Sequence, residues 1–244
     1  MKRKIWEMFP ALCRAVNSTH NEYAKRLNVQ MFHCHDFDHA LRVANMAWVI
    51  APDEKTGRLA AVAALCHNDD RLLQVETGVG PFGEVSRELR MKMIDGWLDA
   101  EPTGTFSASD RNTIIDAVMN HSKRNDQDGK DSLVLVTLKD ADRLVNVEVD
   151  CIMRKAQYFG NSLRIVDPVN LLDDPKATFP KPGSAIRSLK LDLVDFQAEG
   201  GVASLRLPKA REIGKRRFAF WQLFLQEVVE QRQEMGLVPY PNFD

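Results

Sequence analysis

The sequence predicts an all-α protein, and three features carry that prediction. Apolar residues recur at three- and four-residue spacing through most of the chain, which places them on one face of an α-helix. The stretch from Ser132 to about Tyr158 keeps this period through Leu133, Leu135, Leu138, Ala141, Leu144, Val145 and Val149, too long and too regular for a strand. Between the periodic stretches lie dense breakers, Gly78, Gly80, Pro81 and Gly83 in one cluster and Pro168, Pro175, Pro180 and Pro182 in another.

Taken in order, residues 4 to 28 read as helix through Ile5, Met8, Phe9, Leu12, Ala15 and Val16, with a bend or split expected between Asn17 and Asn21. Ala40 to Ala51 is strongly apolar and stops at Pro52, as a buried helix would. Arg58 to Leu73, after Gly57, reads as one further helix ending before the first breaker cluster. Glu84 to Ala100 is amphipathic, and Ser107 or Ser109 can cap a helix running through Ile114, Ile115, Val118 and Met119 to His121. Lys123 to Asp131 reads as polar loop, followed by the long helix from Ser132. The four prolines make Asn161 to Gly183 an extended loop and a candidate lid. Ser184 to Ala198 and Leu207 to Met235 complete the helices, the last one rich in Phe218, Phe220, Trp221 and Phe224.

A chain of 244 residues can bury one sizeable core, or a core with an appendage. A hydrophobic content of 44% and a charged content of 27% exclude disordered and fibrous classes. Lys plus Arg (33) nearly balance Asp plus Glu (34), so no whole-chain basic field draws the protein to a nucleic-acid polymer. Anion recognition, where it occurs, must be local. Cys13, Cys34, Cys66 and Cys151 are scattered without a Cys-x-x-Cys pair, which predicts reduced, mostly buried thiols and a cytoplasmic setting. Lys2, Arg3 and Lys4 open the chain, but Glu7 and Pro10 interrupt the apolar stretch a secretion signal needs, and no run approaches the ~18 apolar residues that span a bilayer.

Four polar patches interrupt these apolar helices: HCHDFDHALRV (33 to 43), AALCHNDDRLL (63 to 73), VMNHSKR (118 to 124) and LKDADRLVN (138 to 146). Imidazole and carboxylate are costly to bury without a partner, so several such groups at core-adjacent helix positions point to one shared site, and a metal ion satisfies them jointly.

These motifs resemble the HD-domain superfamily of metal-dependent phosphohydrolases. That pattern has a histidine before an arginine-valine pair, a histidine-aspartate pair after small apolar residues, and a distal aspartate in an Ala-Asp-Arg-Leu phrase. HDFDHALRV matches it with His39, AALCHN with His67 and DADRLVN with Asp142; the closing LPKAREIGKRRFAFWQLFL resembles the last helix of small bacterial members at Ala210, Gly214, Arg217, Phe220 and Phe224. The resemblance covers about residues 20 to 160 and 205 to 230. It implies a single HD-type domain, a helical bundle with its core at about 20–160, a Pro-rich loop insertion at about 161–205 and a C-terminal closing helix at about 207–235. It also implies a divalent metal ion (Mn, Fe, Mg, Ni or Zn) held by His39, His67, Asp142 and the residue after His67.

That residue is Asn68 where the family has aspartate, so its ligand would be a neutral carbonyl oxygen and the site holds one negative charge fewer. Asp70, three residues after His67, shares its face on a continuous helix and could restore the charge; alternatively Asp69 and Asp70 begin a solvated turn. Arg71 stands where some members carry a catalytic glutamate. His35 and Asp36 precede the helix of His39 and are assigned to the pocket rim, outside the ligand set. His121, Lys123 and Arg124 either neutralise phosphate oxygens or complement a helix end. Arg143 and Asn146 resemble a phrase of guanosine tetraphosphate hydrolases and are as readily a structural pair, while Lys215 to Arg217 reads as a solvated face.

The expectation is therefore hydrolysis of a phosphoester or phosphoanhydride, in a nucleotide or other small phosphorylated metabolite, by metal-activated water. Its rival is a degenerate HD fold that binds a nucleotide or protein partner without turning it over.

Overall fold

Pro10 sets the first boundary. A residue before proline avoids the helical region, and Phe9 leaves it at φ −134°, ψ 64°, dividing α1 (Ile5–Met8) from α2 (Pro10–Leu27). The split expected between Asn17 and Asn21 does not occur, because α2 runs through it. The computed structural model describes residues 4–27, 35–79, 83–123, 130–160, 162–197 and 199–242. They gather into two compact units, Met1–Val145 and Asn146–Asp244.

The first unit continues with α3 (Phe37–Ile50), α4 (Glu54–Cys66), α5 (Asp69–Thr77), α6 (Arg87–Leu98), α7 (Ala108–Asn120) and α8 (Leu133–Asn146). Every residue of α4 from Leu59 to Cys66 is buried, and five of these eight, Ala60, Ala61, Ala63, Ala64 and Cys66, are small. A helix apolar all round belongs at the centre of a bundle. α3 packs on it with its own buried Ala40, Val43, Ala44 and Ala47, and α7 packs on it as well. Ser107 caps α7 through a reciprocal box with Asp110.

Two helices expected to be continuous are broken. Arg58 to Leu73 divides at His67 and Asn68, which sit at φ −68°, ψ −12° and φ −88°, ψ 10° between α4 and α5. Ser132 to Tyr158 divides where Glu148 turns extended (φ −76°, ψ 159°), its carboxylate bound by Arg217 Nη1 at 3.1 Å, ahead of α9 (Val149–Phe159).

The second unit holds α9, α10 (Ala185–Phe196) and α11 (Pro208–Glu234), with α10 packed on both others. Proline at the first position of α11 already has the φ a helix needs. The described residues of the Pro-rich loop are tied to α10: Ala185 N donates to Arg164 O at 3.1 Å, Ile186 N to Ile165 O at 3.0 Å, and Lys190 pairs with Asp173.

Among the described residues no strand forms, and no helix is long and apolar enough to cross a membrane. Cys13, Cys66 and Cys151 are free and buried; Cys34 lies outside the described residues.

Candidate metal centre

The start of α3 and the break between α4 and α5 together build the site. Asp36 caps α3 by accepting the His39 backbone N–H at 2.8 Å, so the helix begins three residues before the expected Ala40, and His39 falls in its first turn, fully buried. His67 ends α4. His35, His39, His67 and His121 form a row, with ring centroids 5.1 Å, 5.2 Å and 5.2 Å apart in turn. His35, His39 and His67 each offer a ring nitrogen, and the three nitrogens lie within 4.8 Å of one another. From α8, Asp142 Oδ1 lies 3.2 Å from His39 Nε2 and 3.8 Å from His67 Nε2.

Backbone contacts fix two tautomers. His67 Nδ1 lies 2.5 Å from Ala64 O, and His121 Nδ1 lies 2.6 Å from Val118 O. A carbonyl only accepts, so each Nδ1 carries the proton and each Nε2 keeps a lone pair. His67 Nε2 is buried without a hydrogen-bond partner, as is His35 Nδ1. Burying such atoms unsatisfied is unfavourable by about 1–3 kcal/mol each, the situation a metal ion relieves.

Burial, then the neighbouring His67, pushes the His121 imidazole down to about 4, with Asp70 and Asp142 acting the other way. It is neutral at physiological pH. Burial followed by His39 drives His35 well below the ordinary histidine value. For Asp142, burial pushes upward, but the hydrogen bond from His39 and the nearby His67, His39 and His121 hold the carboxyl far below the usual range. The result is one carboxylate facing a row of imidazoles, a donor set suited to a borderline divalent cation.

The adjacent aspartates have opposite surroundings. Asp69, fully buried, takes a two-pronged ion pair from Arg90 of α6, Nε to Oδ2 at 2.6 Å and Nη2 to Oδ1 at 2.9 Å, and Arg90 also reaches Val118 O at 3.3 Å. Burial raises the Asp69 carboxyl to about 7 even against the pull of Arg90. Asp70 Oδ1 is buried with no hydrogen bond, Arg71 Nε standing 3.9 Å away. Asp70 therefore does not begin a solvated turn. Nor does it share a continuous helix with His67, because the break falls between them.

Of the residues singled out in the sequence, His39, His67, Asp142, His121 and Asp70 belong to this neighbourhood, and Asn68 is buried beside it. Lys123 is exposed just past α7, and Arg124 lies outside the described residues. His35, assigned to the rim, instead joins the cluster. Its four-residue spacing from His39 was the available signal. Arg90 was missed, since nothing local marks a partner 21 residues from Asp69.

No family model and no curated protein sequence matches the chain. Its fold is similar to that of a crystal structure of a structural-genomics target from Lactobacillus plantarum, with TM-score 0.61 and 20% identity over 91% of this chain and 97% of that one. At that identity the likeness establishes the fold. Fold and site together define an all-α protein with a buried, histidine-rich candidate metal centre.

Proposed function

We propose that this protein is a cytoplasmic metal-dependent phosphohydrolase of the HD-domain type, acting on a nucleotide or another small phosphorylated metabolite. The observation that carries this reading is the convergence of His35, His39, His67 and Asp142 from separate helices and the segment before α3, with His67 Nε2 buried without a hydrogen bond. A divalent cation bound there supplies Lewis acidity, polarising a phosphoryl oxygen and acidifying water.

The chain's own groups supply the rest. His39 and His67 present nitrogens and Asp142 the negative charge. His121 Nε2, held as an acceptor by the Val118 carbonyl, takes the proton that water loses as its oxygen bonds to phosphorus and the scissile P–O bond breaks with its electron pair on the departing oxygen, and Asp70 favours the imidazolium so formed. Lys123 and Arg124, next in sequence, carry positive charge for the phosphate oxygens.

A second reading, a module that binds its ligand without turnover, is favoured by Asn68 and Arg71, which stand where the resemblance leads one to expect an aspartate and a glutamate. Elemental mass spectrometry of the purified protein and of His67→Ala and Asp142→Ala, with a phosphate-release screen on the same samples, separates the readings. Near-stoichiometric metal, lost in both variants, with metal-dependent phosphate release is expected. Metal without turnover would favour the binding module, and a protein that takes up no metal after supply of manganese or iron would sink both.

A further inference from the structure

We infer that Asn68 is a positioning residue that holds His35 in place as the third imidazole of the metal site, so that the site is built of three histidines and one carboxylate. This deepens the metal-site reading and rests on it. The Asn68 amide nitrogen donates to two backbone carbonyls, His35 O at 3.1 Å and Asp36 O at 3.3 Å. An amide NH2 has two N–H donors, one for each carbonyl, whereas a carboxylate has only acceptors. An aspartate at this position would set its oxygens against those carbonyl oxygens and repel the segment that carries His35. The asparagine is thus matched to a task an aspartate cannot perform.

The geometry supports each link. Asn68 is 1% exposed and sits in the break between α4 and α5, directly after His67, so one short turn delivers the His67 ring and ties down the chain before α3. From the other side, the Asp36 side chain binds the His39 N–H. Residues 35 and 36 are therefore held both by Asn68 and by the first turn of α3. The His35 ring stands edge-on to His39, at 87°, with its Nδ1 buried and unpartnered. The missing charge is not restored by Asp69, whose two oxygens are taken by Arg90. A nitrogen-rich set with one carboxylate favours metals such as cobalt, nickel or zinc over magnesium.

Cobalt(II) is the probe, titrated into chelator-stripped full-length protein and followed by its visible d–d bands, with X-ray absorption counting imidazoles in the loaded wild type. Three imidazoles are expected. His35→Gln lowers the count to two and weakens cobalt binding by about 10–100-fold. Asn68→Asp weakens it comparably and also loses an imidazole, with little further loss in the double variant, because both act through the same ring. The charge change makes the sign decisive: a residue 68 that itself ligated the metal would bind more tightly as aspartate. Tighter binding by Asn68→Asp, or an unchanged spectrum in His35→Gln, overturns the inference while leaving the metal site standing. No cobalt uptake by wild type overturns the metal site as well. Circular dichroism checks folding, and the wild-type count of three or two decides the point if Asn68→Asp does not fold.

Discussion

Two buried polar clusters of this chain are built to opposite ends. In the second unit, Lys155 Nζ binds Asp192 Oδ2 at 2.6 Å and donates to Ser188 Oγ at 2.8 Å, a cluster whose charges answer one another. In the first unit, His35 Nδ1, His67 Nε2 and Asp70 Oδ1 are buried with no hydrogen bond. A closed cluster, its opposite charges matched within itself, works for the fold. An open one is a strain the fold sustains, and its groups are available to a ligand.

The sharpest way to break this contrast is at the closed end. Lys155→Met should strand the Asp192 carboxylate and destabilise the protein by about 3–5 kcal/mol, with much of the loss recovered in Lys155→Met/Asp192→Leu, as read by denaturant unfolding. Metal content per folded molecule should not change. His121→Ala should do the reverse, lowering metal-dependent phosphate release by about 100-fold while leaving bound metal and unfolding midpoint near wild type. Asp70→Asn should lower turnover by about tenfold and leave metal content intact. An unfolding midpoint that collapses in Asp70→Asn would move that residue to the closed class.

The smallest expected effect concerns His20, 3% exposed in α2 and pushed down to about 4, first by burial and then by His67 and His39 against Asp36. Its folded pKa lies below its unfolded value, so protons bind the unfolded chain more readily as pH falls from about 6.5 towards 4, and stability is lost over that window. By pH 6 the loss should be about 1 kcal/mol. His20→Gln should remove it, seen as the difference between variant and wild-type unfolding curves in chelator. Parallel curves would place His20 in solvent.

The helices were legible because their apolar period survives without tertiary information. Of the four metal positions that the resemblance implies, His39, His67 and Asp142 come together; ionisable groups inside apolar helices pointed to a shared site, and the family motif picked these residues out of the patches. The two misread breaks share a cause. At His67–Asn68 and at Val147–Glu148 the local sequence favours continued helix, and long-range bonds, from Asn68 to the chain before α3 and from Arg217 to Glu148, hold the turn instead. His35 was placed on the rim because it precedes α3, and only the Asn68 contacts reveal what draws it inward. Asp69 and Asp70 look alike in sequence, and what separates them is Arg90, on another helix.

Arg90 also fixes a distance. Its guanidinium is a flat plate with no soft torsion inside it, and through N–H donors fixed in that one plane it grips the first residue of α5 and a carbonyl in the last turn of α7. Asp70 and His121 are each the neighbour of one gripped segment. The spacing between them is therefore gauged by a rigid part, whatever slack the fifty or so residues of intervening chain contain. A lysine would carry the same charge, but as a single point on a flexible stem it would hold no gauge.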